Sequence, residues 1–174
     1  MRLIVPATAV AALLIGLTRQ RLRLVVVQGR SMEPTIHDGQ RLLFRRTKPT
    51  RLRTGAVTLF TNPLHQVGVG PPQMVKRLVA VGGSPTPKAV LDASNRIPPG
   101  IRTSLSVAED IPTVVPEGYV MVLGDSPGLD SALLGPIDAH LVWGQAEVPG
   151  QRSRESAGAR HGSSWFLRDQ SAQW

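Results

Sequence analysis

Met74-Val75-Lys76-Arg77-Leu78-Val79-Ala80-Val81-Gly82-Gly83 is an apolar run of strand composition, closed by two glycines, with two adjacent cations inside it. Side chains alternate along a strand, so Met74, Lys76, Leu78 and Ala80 share one face and Val75, Arg77 and Val79 the other. Apolar neighbours desolvate an ammonium, and desolvation favours the neutral amine. A free lysine has a pKa of about 10.4; bringing it to about 7 takes roughly 3 units, or about 4 kcal/mol. Arg77, on the opposite face, reads as a solvated or paired cation.

Upstream, Gly29-Arg30-Ser31-Met32-Glu33-Pro34-Thr35 follows the apolar segment Leu24–Gln28. Pro34 biases Glu33 toward an extended conformation, so the chain leaves the strand on a stiff turn and presents the Ser31 hydroxyl at a strand end. Serine is a weak nucleophile until a base takes its proton, and a neutral lysine is such a base. Taken singly, Ser31 is an ordinary turn serine and Lys76 a lysine snorkelling to water. Brought together by the fold, a turn serine and a buried lysine can make a Ser–Lys hydrolase.

The remaining strand signals are Arg41–Arg45, Ala56–Phe60, Tyr119–Leu123 and Leu141–Val148, bounded by Gly, Pro, Asn or Asp. Their spacing predicts a mainly β domain with an antiparallel sheet, not βαβ units. No long segment after residue 20 has a helical period. The prolines at 85, 87, 98, 99, 112 and 116 leave room for only short strands between Ser84 and Pro116.

Three segments in this order resemble type I signal peptidases, in particular the small, singly anchored members and the mitochondrial inner-membrane peptidases. Ser31-Met32-Glu33-Pro34-Thr35 is similar to the nucleophile box, and the run around Lys76 to the general-base box. Val115-Pro116-Glu117-Gly118-Tyr119-Val120-Met121-Val122-Leu123-Gly124-Asp125, then Asp130-Ser131 and Gly135-Pro136, is similar to the C-terminal signature. The resemblance covers roughly residues 1–147. It implies a serine endopeptidase that removes signal peptides from exported preproteins, with Ser31 as nucleophile, Lys76 as general base and no cofactor or metal. Gly29, Ser126, Asp130 and Ser131 are the expected oxyanion and dyad supports; Gln28 and Met32 are the expected substrate-binding residues. The chain departs from the family pattern in three ways. Gly29 supplies no side-chain hydroxyl to an oxyanion hole. Ala132 stands where an arginine usually pairs with the aspartate. The serine that usually orients the lysine falls near Gly128, so Ser126 or Ser131 is the candidate substitute. The alternative reading is an inactive membrane-anchored β module that binds peptides or partners.

The chain has 174 residues, no cysteine and a formal net charge of +8. Disulfides and thiolate metal sites are excluded, and the four histidines have no metal spacing. The scattered arginines lack interleaved aromatics and suit anionic lipid better than nucleic acid. Leu3–Leu17 is uncharged. As a helix it reaches about 22 Å, short of the ~30 Å hydrocarbon core unless flanking residues or local thinning help. Residues 1–22 are expected to be a single-pass membrane anchor with its basic flank. Residues 23–148 are the expected catalytic domain, with 84–116 a reduced cap-like insertion, and 149–174 a disordered tail. Arg19, Arg21 and Arg23 after the anchor argue by the positive-inside rule for a cytoplasmic domain. The resemblance implies the opposite, an extracytoplasmic one.

Overall fold

The computed structural model describes residues 21–98, 100–105, 110–146 and 148. The expected anchor, save its last two residues, and the expected tail lie outside them. Among the described residues no helix is long and apolar enough to cross a membrane.

Seven strands form one sheet: β1 (Leu22–Val26), β2 (Arg41–Arg46), β3 (Val57–Thr61), β4 (Gln73–Val81), β5 (Tyr119–Leu123), β6 (Ile137–Asp138) and β7 (Val142–Ala146). Their order is β1-β2-β7-β3-β4-β5-β6, and every pairing is antiparallel. Six of them lie on the segments expected from sequence, with ends shifted by no more than two residues. The two-residue β6 is too short to leave a periodic signal.

Alternation is clearest in β4, where Met74, Lys76, Leu78 and Ala80 are buried and their neighbours are half-buried. Phe60, Met74, Leu78, Val120, Val122 and Ile137 form one core cluster. Val27, Met32, Ile36, Phe44, Val57 and Leu59 form a second.

The stretch after Ser84 departs from the expectation of short strands. It holds the helices α1 (Lys88–Asn95) and α2 (Ile101–Ser104), besides an isolated bridge between Pro85 and Val114. Pro87 is the N-cap of α1. A proline at a helix entrance sacrifices no intrahelical hydrogen bond, so prolines there punctuate a helix and do not forbid one. Val90 of α1 is fully buried against Ala80, Val115 and Met121. A third helix, α3 (Ser131–Leu134), follows the loop after β5.

Candidate active site

Ser31 lies in the long connection between β1 and β2. The antiparallel register brings the ends of that connection together, with Val27 N–H donating to Gln40 O (2.9 Å) and Gly39 N–H to Val27 O (2.8 Å). Inside it the chain turns tightly: Glu33 N–H donates to Arg30 O (3.0 Å) and Ile36 N–H to Met32 O (2.9 Å). Met32 is 1 % exposed and packs in the second core cluster. Its burial, about 1.5–3 kcal/mol for such a side chain, pins the turn to the sheet. Met32 was expected to meet substrate; its thioether instead faces the core, because a turn at a strand end needs an apolar anchor. Gln28 is exposed beside the turn.

Lys76 is 3 % exposed. It pairs with Thr58 of β3, whose hydroxyl donates to Lys76 O at 2.8 Å. On its other side β5 pairs Leu123 with Arg77, so the next residue, Gly124, runs alongside Lys76. A methyl group on Gly124 would lie 3.2 Å from Lys76 Nζ and 2.6 Å from Ser31 O. A methyl on Gly128 would lie 3.3 Å from Nζ and 3.5 Å from Ser31 Cβ. The amine and the serine therefore border one methyl-sized space, and that space exists because residues 124 and 128 are glycines. No hydrogen bond joins Ser31 to Lys76 among the described residues. Burial lowers the pKa of Lys76, against the opposing pull of Asp130 and then Asp125.

The loop after β5 is sewn over the nucleophile turn. Ser126 N–H donates to Ser31 O (3.1 Å) and the Ser126 hydroxyl to Glu33 O (2.9 Å). Asp130, 5 % exposed, caps α3 by accepting from Ala132 N–H (3.0 Å), and its second oxygen accepts from Gly124 N–H (3.1 Å). Burial raises its pKa; the two backbone hydrogen bonds and the Lys76 charge oppose that. The two shifts agree in sense: desolvation drives both members of the Lys76–Asp130 pair toward neutrality. Ser131 is fully buried and accepts from Val122 N–H at 2.9 Å. The hydrogen bonds of Ser126 and Ser131 thus go to backbone groups, not to the Lys76 amine, because both residues fasten the loop to its neighbours. Gly29 has φ +92°, a conformation that favours glycine, and its N–H is held by Asp38 at 2.8 Å.

Four residues at this site have no role assigned to them from sequence. Asp125 takes Arg77 in a two-pronged ion pair, Nε to Oδ1 at 2.8 Å and one terminal nitrogen to Oδ2 at 2.6 Å. Asp125 sits next to Gly124 in the quoted signature, and Arg77 next to Lys76, so the signal was present as two charges without a register. Thr58 carries no such signal. Arg102 of α2 is 8 % exposed and donates to Ala132 O and to the Ser94 hydroxyl of α1. A guanidinium thus reaches the residue at which the chain lacks an arginine, but from the segment 84–116 expected to hold only strands. Gly128 was noticed only as a missing serine.

No curated protein matches the chain. Among solved structures, a crystal structure of a signal peptidase I from Enterococcus faecalis V583 is similar at 18% identity and a TM-score of 0.36, covering 55% of this chain and 96% of that one. So low a score carries no weight by itself. The family model described as signal peptidase, peptidase S26, matches residues 1–86, a span that holds both Ser31 and Lys76. Over those residues the chain is similar to the signal peptidase family, peptidase S26.

Proposed function

We propose that the chain is a membrane-anchored endopeptidase that cuts signal peptides from exported preproteins with Ser31 as nucleophile and Lys76 as general base. The observation that supports this best is the single small space bordered by Ser31 Cβ and a buried Lys76 Nζ. Ser31 attacks the scissile carbonyl as Lys76 takes its hydroxyl proton, giving a tetrahedral oxyanion and then an acyl-enzyme. The charged Lys76 returns the proton to the leaving amine, and the neutral amine then activates water.

The charged intermediate is tolerable because Asp130 and Asp125 both favour the ammonium. Burial keeps the resting amine inclined to neutrality; the two carboxyl groups keep its transient charge from being prohibitive. The oxyanion requires a donor. Ser31 N–H donates to no protein acceptor among the described residues, and it stands at the reacting hydroxyl. Ser126 N–H, by holding Ser31 O, orients the peptide unit that follows Ser31 and keeps the turn from rotating.

Cleavage of a model preprotein by the full chain in detergent tests the assignment, with Ser31→Ala and Lys76→Ala in parallel. Both variants should lose cutting while keeping the parent's thermal unfolding profile. Undiminished cutting by either removes that residue from the mechanism. A parent chain that binds the preprotein without cutting it leaves the inactive β module standing.

A further inference from the structure

Arg102 is a buried cation to which the proposed reaction gives no role. It sits on α2, inside the segment 84–116, and is 8 % exposed. A guanidinium stays charged when buried, so its burial is costly unless its donors are satisfied. Here one terminal nitrogen donates to Ala132 O of α3 and to the Ser94 hydroxyl of α1. Arg102 thereby joins α1, α2 and α3 at one point.

The contact matters because α3 has little of its own to keep it in shape. It is a helix of four residues. A single turn is not stable alone, since nucleation fixes several residues for one hydrogen bond. Its carbonyls also lack partners within the helix. Ala132 O would take the N–H four residues on, but that residue is Pro136, which has none. Arg102 supplies the missing donor. The other end of Ala132 is held too: its N–H donates to Asp130 Oδ1 (3.0 Å), and Asp130 Oδ2 accepts from Gly124 N–H (3.1 Å). Gly124 borders the Lys76 amine. A chain of hydrogen bonds therefore runs from α2, through α3, to the backbone beside that amine, with the Asp130 carboxyl in its middle.

We infer that Arg102 is a positioning residue for the dyad: by holding Ala132 O it fixes the turn that keeps the Asp130 carboxyl at the Lys76 amine. Its catalytic meaning rests on the reading of Lys76 as general base. The charged groups around the amine are Asp130 and Asp125 on the loop after β5, Arg77 beside it on β4, and Arg30 and Glu33 on the nucleophile turn; β3 presents Thr58. Of the two aspartates, Asp130 favours the ammonium more. Releasing α3 weakens that support, so Lys76 should give up its proton at lower pH. Loss of the Arg102 charge alone would do the reverse, since removing a cation makes the ammonium easier to hold. The direction of the change therefore separates positioning from simple charge.

The chain has three lysines, and Lys48 and Lys88 are exposed. Full chain labelled with carbon-13 at lysine Cε, in neutral detergent, therefore gives three NMR signals, and Lys76→Met identifies the one from Lys76. In Arg102→Met, Lys76 should titrate at a pH lower than in the parent by roughly 0.5–1. Cleavage of a model preprotein should lose about tenfold in kcat with KM little changed. Arg102→Lys keeps the charge without the planar fork, and should move the titration the same way by less. In an Asp130→Asn background, Arg102→Met should add no further movement, because its effect runs through that carboxyl. A Lys76 titration unmoved in either folded Arg102 variant, a rise in place of the fall, or an undiminished shift without the Asp130 carboxyl overturns the inference and leaves Arg102 a structural cation. The NMR readout needs no substrate. A parent chain that cuts no preprotein therefore counts against the peptidase reading, while the lysine titration still decides whether Arg102 acts on Lys76 through Asp130.

Discussion

Lys76 and Arg77 are consecutive cations on β4, and the two faces of the strand treat them oppositely. On the Lys76 face the amine is nearly sealed from water, and burial outweighs the attraction of Asp130 and Asp125. On the Arg77 face the guanidinium is satisfied by both oxygens of Asp125 and by Gly55 O at 2.8 Å. The difference teaches why the residue types are not exchangeable. A compact amine can give up its proton when buried; a guanidinium stays charged and must be matched with acceptors. The faces are also linked. Asp125 attracts Lys76, but its charge is already countered by Arg77 at contact distance. The ion pair on one face thereby spares the neutrality of the amine on the other.

Exchanging the types should break the comparison most severely. Lys76→Arg puts a permanent charge where the structure disfavours one, and cleavage should fall by about 10³-fold or more, as expected for loss of a general base. Measuring kcat/KM on a model preprotein checks this; substantial remaining cleavage would mean that proton transfer does not run through residue 76.

Gly128→Ala comes next. Gly128 is not in the left-handed region, so its backbone accepts a side chain. The added methyl would nevertheless stand 3.3 Å from Lys76 Nζ and 3.5 Å from Ser31 Cβ. Wedging the pair apart by a fraction of an ångström should cost about 10- to 100-fold in kcat, with the melting temperature little changed. Parent-like turnover would show that the serine and the amine do not need that space.

Arg77→Gln tests the link between the faces. It frees the charge of Asp125 to act on Lys76, so the folded-state pKa of the amine should rise. Cleavage depends on the neutral amine, so the acidic limb of the pH–kcat profile should move to higher pH. Removing the ion pair should also destabilise the fold by about 2 kcal/mol, the size of charge-assisted hydrogen bonds, in denaturant titrations. A destabilised variant with an unmoved acidic limb would mean that the two faces are independent.

The uneven legibility of the sequence follows from the range of the forces involved. Strand alternation is local, so the face of Lys76 could be read from Met74, Leu78 and Ala80, and β5 falls on Tyr119–Leu123 as expected. Proximity of Ser31 to Lys76 came only through the resemblance, since a register between distant segments leaves no local trace. Arg102 meeting Ala132 is of the same kind: a buried cation reaching a carbonyl carries no pattern of its own. The helix α1 is hidden in the sequence by the prolines around it, although Pro87 marks its start. The resemblance implies a substrate-binding role for Met32, although the turn directs it into the core.

The smallest effect concerns stability, and its sign follows from the direction of the Lys76 shift. The folded-state pKa lies below the ordinary value of 10.5. Below both values the native and unfolded chains each hold the proton, and the native chain bears the full penalty of a buried ammonium. Between the two values the unfolded chain holds the proton and the native chain has released it, so stability rises with pH across that window. Above 10.5 the penalty is gone. Lys76→Met keeps the side chain's bulk and removes the charge. The variant should therefore be more stable than the parent by about 1–3 kcal/mol at the low-pH end of the window, with the gain shrinking as pH approaches the ordinary lysine value. The comparison belongs above the pH at which Asp130 titrates. Protonating Asp130, whose pKa is itself raised, removes a partner of the ammonium and adds a second slope. Urea unfolding of both proteins in detergent at several pH values reads the difference directly. A gap that does not change with pH would show that the native amine carries no penalty for its charge, and that Lys76 and Arg77 differ in packing alone.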